Sequence, residues 1–108
     1  MFRAFSDRTR LRILNLLKDG ELCVADLVVI LGVGQPKASR HLSYLRRAGL
    51  VEVRDHGVWK FYRLAPASTT FHEQLLRCLG GCFHDVPELA EDLARAARLR
   101  KSGGCCTA

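Results

Sequence analysis

The chain is short of the features that mark several functional classes. No apolar run among its 108 residues approaches the roughly 20 needed to span a bilayer as a helix. The opening Met-Phe-Arg-Ala-Phe-Ser holds no continuous apolar stretch of the kind a secretory leader carries, so no signal peptide is expected and a cytoplasmic location is the default. There is no internal repeat, which excludes a solenoid. Histidine is sparse: His84 has no second histidine one helical turn on, so Glu88, Glu91 and Asp92 make only a thin set for zinc or cadmium. Cys82 and His84 could be imagined as a nucleophile and its base, yet no third residue is placed to orient them, so an enzyme is not expected.

What is present points to one globular domain spanning residues 1–108. Hydrophobic residues make up 48% of the chain and charged residues 26%, enough apolar material for a single core. The net charge is +6, and its distribution is uneven. Residues 34–64 contain Lys37, Arg40, Arg46, Arg47, Arg54, Lys60 and Arg63 against only Glu52 and Asp55, so this segment carries +5 of the total. A basic excess confined to one short segment is the footprint of a phosphate-binding surface.

Local patterns place that segment on a recognisable scaffold. Ser6 or Asp7 can cap a helix running to about Lys18, with Ile13, Leu14 and Leu17 inward. A short helix from about Leu22 to Leu31 follows, then a tight turn at Gly32-Val33-Gly34. The next helix, about 35–48, has Pro36 in its first turn and a buried stripe of Ala38, Leu42 and Leu45. Strands are expected at Leu50–Arg54 and Val58–Leu64, joined through Asp55-His56-Gly57. Alternate members of Trp59, Phe61 and Tyr62 should anchor this ribbon to the core. Ser68 can cap a helix with the stripe Phe71, Leu75, Cys78 and Leu79, which Gly80-Gly81 should interrupt. Asp85 and Glu88 form a capping box for a last helix with Leu89, Leu93 and Ala97 inside. The two C-terminal helices together occupy about 67–101, and a mobile tail is expected over 102–108.

Helix, short turn, helix and ribbon make a winged helix-turn-helix, whose second helix suits the DNA major groove. Gln35, Lys37, Ser39 and Arg40 would lie nearest the base edges, where Gln can pair with adenine and Arg with guanine. Ser39 and His41 are also placed for phosphate, and Tyr44 joins the DNA-contacting set from an outer face of the helix. The wing, about 50–64, would bring Arg54, His56 and Lys60 to the backbone or minor groove.

The segments Ser6-Asp7-Arg8-Thr9-Arg10-Leu11-Arg12-Ile13-Leu14, Gln35-Pro36-Lys37-Ala38-Ser39-Arg40-His41-Leu42 and Leu45-Arg46-Arg47-Ala48-Gly49-Leu50-Val51 resemble the ArsR/SmtB family of metal-responsive repressors over roughly residues 2–64. The resemblance implies a mainly α fold with a small β-hairpin, of order α-α-α-α-β-β-α(-α). It also implies a homodimer that leaves operator DNA when an inducer binds. Phe2, Phe5, Phe71, Leu75 and Leu79 would supply the dimer surface.

Arsenite-sensing members of that family typically carry Cys-Val-Cys-Asp-Leu before the reading helix. This chain has Cys23-Val24-Ala25-Asp26-Leu27, so one thiol of the pair is missing. Cys23 then reads as a small buried hydrophobe, and Cys78, in an apolar stripe, reads first as packing. Cys105 and Cys106 are adjacent in a polar tail, where packing gives no reason for them, and soft thiolates select soft ions. A trivalent arsenic or antimony site is therefore expected on Cys105 and Cys106, with Cys82 as the third thiolate. Arsenite, antimonite or a monomethyl arsenical could occupy it, the last needing only two thiolates. Two rivals are a repressor that senses oxidation or sulfide through a disulfide joining Cys78 or Cys82 to the tail pair, and a thiol protein that buffers metalloid without binding DNA.

Overall fold

The computed structural model describes residues 7–81 and 87–103, with the side chains of 79–81 left out. Its elements run α1 (Arg8–Leu17), β1 (Leu22–Cys23), α2 (Val24–Leu31), α3 (Gln35–Arg47), β2 (Val51–His56), β3 (Trp59–Leu64), α4 (Thr70–Gly81) and α5 (Pro87–Lys101). Among the described residues three helices precede the wing, one fewer than the expected order. The winged helix-turn-helix itself is as expected.

Local chemistry explains the helix boundaries. Asp7, rather than Ser6, caps α1: its Oδ1 accepts the Arg10 amide at 3.0 Å. Gly32 ends α2 in the left-handed region at φ 69°, where a side chain would strain the backbone. Pro36 occupies the first turn of α3, where a missing N–H costs nothing. At the other end, the Gly49 amide donates to the Arg46 carbonyl and the Leu50 amide to that of Leu45, at 3.0 Å each, which satisfies the last carbonyls of the helix.

Several boundaries differ from the sequence-based expectation, each for a definable reason. The second helix begins at Val24, because Leu22 and Cys23 pair with Tyr62 and Phe61 as a third strand. The sheet is antiparallel in the order β1-β3-β2. Each wing strand starts one residue later than expected, but β2 runs two residues further, so that Asp55 and His56 pair with Lys60 and Trp59. The turn shrinks to Gly57-Val58, with Gly57 at φ 63°, the position at which a II′ turn demands glycine. Thr69, not Ser68, accepts from the first turn of α4: the His72 amide reaches Thr69 Oγ1 at 3.0 Å, while His72 Nδ1 accepts the Ser68 amide at 3.1 Å. Helix α4 includes Gly80 and ends at Gly81, the pair expected to interrupt it. Pro87 opens α5; Asp85 lies outside the described residues.

The core is built by α1, α2, α3 and the base of the wing. Ile13, Leu14, Leu16, Leu27, Ile30, Leu42, Leu45 and Leu50 are fully buried, and Tyr62 and Leu64 pack against them from β3. Tyr62 thus anchors the ribbon. Ala96 on α5 is also fully buried, whereas Ala97, expected inside, is exposed.

The same helix buries Asp92, which has no solvent-exposed surface. Arg12 of α1 meets it bidentately, Nε to Oδ2 and Nη2 to Oδ1, both at 2.8 Å. The Arg12 pKa is raised, chiefly by this hydrogen bond. Around the pair, Arg8 holds Glu88 at 2.7 Å, and Asn15 Nδ2 reaches the Leu89 carbonyl at 3.5 Å. Removing one member of such a buried pair strands the other charge. Asp92→Asn should therefore lower unfolding free energy by about 3 kcal/mol in urea melts. The apolar double replacement R12M/D92L should recover much of that loss. Near-wild-type stability of Asp92→Asn would show that the pair does not fasten α5.

Candidate nucleic-acid interface

Helix α3 presents one face to the core and the rest to solvent. Ala38, Leu42 and Leu45 are buried, while Gln35, Lys37, Ser39, Arg40, Ser43, Arg46 and Arg47 are exposed. The helix carries four cations, Lys37, Arg40, Arg46 and Arg47, and no acidic residue. None of the four makes a salt bridge within the described residues. They are therefore available to phosphate oxygens, whose neutralisation releases condensed counterions.

Two residues of the expected DNA-contacting set are placed differently. Tyr44 is only partly exposed and packs against the core, with the Arg10 guanidinium 4.1 Å above its ring. Arg10 escaped the sequence reading, and nothing in its position on α1 signals a partner 34 residues away. His41 is half-buried. Burial is the largest influence on it and holds its pKa below the usual histidine range; Asp7 opposes this, and Arg10, Lys37 and Arg40 add to the depression. At neutral pH this side chain is a neutral hydrogen-bonding group, so it adds no fixed positive charge for DNA.

The wing differs more from its sequence reading. Arg54 grips Glu21 through two hydrogen bonds, at 2.7 and 3.0 Å, and lies 4.6 Å from the Phe61 ring centroid. The Glu21 pKa is lowered, chiefly by that hydrogen bond. Lys60 pairs with Asp55 at 3.1 Å and Arg63 with Glu52 at 3.0 Å. Every cation of the wing is thus matched by a carboxylate. His56 is exposed and meets Phe61 edge to face at 6.5 Å. The basic character read over residues 34–64 therefore resides in α3, and Arg54 braces the wing against the loop before β1.

The cysteines are only partly described. Cys23 is 1% exposed, and its Sγ accepts the Asp26 amide at 3.4 Å, capping α2. It is also disulfide-bonded. Cys23 is thus buried as expected, and its cap and covalent bond are roles beyond packing. Cys78 is half-buried on α4. Cys82, Cys105 and Cys106 lie outside the described residues. Among the described residues no three His, Cys, Asp or Glu side chains come together to hold a metal ion. Of the expected dimer surface, Phe71 is 51% exposed and Leu75 is half-buried. Phe2 and Phe5 lie outside the described residues, and the Leu79 side chain is not described.

Residues 7–53 match the family model "Bacterial regulatory protein, arsR family". The chain is 40% identical to the arsenical resistance operon repressor of Escherichia coli (strain K12), over 88% of this chain and 83% of that one. The chain belongs to the arsR family. Solved arsR-like structures agree with the fold. Reduced HlyU from Vibrio cholerae superimposes with a TM-score of 0.67 at 33% identity, covering 78% of this chain and 85% of that one. A possible transcriptional regulator for arsenical resistance gives 0.60 at 33% identity, covering 85% and 91%. Among the described residues of this arsR-family chain, no helix is long and apolar enough to cross a membrane.

The contrast between α3 and the wing can be measured. Arg40→Ala should reduce the slope of log affinity against log salt by about 1 for a DNA duplex. Arg54→Ala should leave that slope nearly unchanged. Fluorescence anisotropy over a salt series reads both, and an equal drop for the two variants would mean that Arg54 leaves Glu21 for phosphate.

Proposed function

We propose that this chain is a homodimeric, DNA-binding transcriptional repressor. In this reading α3 enters the major groove of operator DNA, and the operator is released when a trivalent arsenic or antimony species binds cysteine thiolates. The observation that carries the DNA reading is the acid-free outer face of α3, with Lys37, Arg40, Arg46 and Arg47 unpaired among the described residues. Gln35, Lys37, Ser39 and Arg40 are the base-reading candidates, His41 a neutral phosphate contact, and His56 and Lys60 the wing contacts. Phe71 and Leu75, with Phe2, Phe5 and Leu79, would form the dimer surface, since an aromatic ring half in water on a helix face favours a partner.

The metalloid reading rests on the thiols and on the arsenical resistance repressor among the relatives. Ala25 leaves only one thiol beside the reading helix, so Cys105 and Cys106, with Cys82, are the thiolates that would hold arsenite, antimonite or methylarsenite. The described residues offer no competing cluster. A regulator acting through binding equilibria needs no catalytic group, and none is assigned.

One observation favours a second reading, a thiol-redox repressor: Cys23 is disulfide-bonded at the start of α2. Cys23 and its partner thiol would give up two electrons and two protons to a peroxide, which becomes water and an alcohol or a second water. One experiment separates the readings. With labelled operator and protein kept reduced, arsenite, antimonite and methylarsenite are each titrated, and peroxide is titrated without metalloid. Release by at least one metalloid, abolished in C105S/C106S but retained in C23S, is expected. Release by peroxide alone, abolished in C23S, would replace the metalloid reading with the redox one.

A further inference from the structure

A concave surface between α2 and α5 includes no residue of α3 or of the wing. It is lined by Val29, Ile30, Arg95, Arg98, Leu99 and Ser102 and holds about 270 Å³. Val29 is 59% exposed, one of three large apolar side chains left in water among the described residues. The other two have evident reasons, Val58 in the wing turn and Phe71 on the expected dimer helix. Val29 has neither.

The polar lining is cationic, and its donors are unevenly committed. Arg95 Nη1 donates to the Ile30 carbonyl at 3.2 Å; its other contacts, to Asp92 at 3.9 Å and Glu91 at 4.0 Å, are loose. The Ser102 hydroxyl is spent on the Leu99 carbonyl at 2.9 Å. Arg98 forms no salt bridge among the described residues and stands one turn from Arg95, where like charges repel. No acidic residue lines the cleft.

These features select one kind of occupant. An inorganic anion would leave Val29 and the exposed part of Leu99 in water. A neutral apolar molecule would desolvate two guanidinium groups without compensation. The space is about 270 Å³, so the occupant is small. We infer that the α2–α5 cleft binds a small amphipathic organic anion, its carboxylate on Arg98 and Arg95 and its apolar body against Val29, Ile30 and Leu99. No cysteine lines the cleft, and the inference stands whether or not a metalloid is the inducer.

The test uses the whole chain under reducing conditions, followed by amide NMR during titration with octanoate, with octanol and acetate as controls. Saturable shifts centred on Val29, Ile30, Leu99 and Ser102 are expected with octanoate. Charge-assisted bonds of this kind make Arg98→Gln weaken binding about tenfold. Replacing one methyl by hydroxyl in Val29→Thr should weaken it a few-fold. Both positions are exposed, so both variants keep the fold. The proposal fails if octanoate gives no saturable shift there, if octanol or acetate binds equally well, or if Arg98→Gln binds octanoate undiminished. It also fails if the shifts follow protein concentration instead of ligand, which would make the cleft a contact with a second copy.

Discussion

Asp92 can be buried only because Arg12 meets it with two hydrogen bonds. Neither side chain alone would tolerate that position: a lone carboxylate or a lone guanidinium away from water is costly. Together they lock α5 across α1, and the rest of α5 follows from that placement. Leu89 and Ala96 are brought onto the core, Arg95 reaches the end of α2, and Arg100 donates to the Gly20 carbonyl at 3.2 Å. The C-terminal helix is thus seated on the helix-turn-helix by polar pairing as much as by apolar burial.

Electrostatics also divides the labour of the DNA-facing elements. Helix α3 keeps its cations uncommitted, while the wing neutralises its own. The pairs Arg54–Glu21, Lys60–Asp55 and Arg63–Glu52 commit the wing's charges to holding its own conformation. Arg10 acts similarly from α1, holding the Tyr44 ring from above, so the outer face of α3 is partly shaped by a residue outside it.

The sequence made local rules legible and left tertiary ones hidden. The Ala38, Leu42 and Leu45 stripe, the Pro36 start and the end near residue 48 are set by residues within a turn or two, and the structure has them as read. Strand β1 could not be foreseen, because two residues have no period and their pairing partner is nearly 40 positions away. Asp92 entered only as one of three acids in a thin metal set, since its partner is 80 residues distant. Net charge placed the DNA-binding unit within 34–64, yet could not separate the unpaired lysine and arginines of α3 from the paired ones of the wing. The thiol assignments at Cys82, Cys105 and Cys106 remain proposals carried by chemistry and resemblance.

Cys23 sits where three kinds of attachment converge. Its backbone belongs to a strand paired with Phe61 of the wing, its sulfur caps α2, and that same sulfur is covalently tied. A displacement of the wing therefore cannot be absorbed by a slack loop before reaching the helix that feeds α3. The ribbon and the reading helix behave as two prongs of one fork, hinged on a single side chain. Whatever acts on that sulfur therefore bears on the wing strand and on the helix before α3 together.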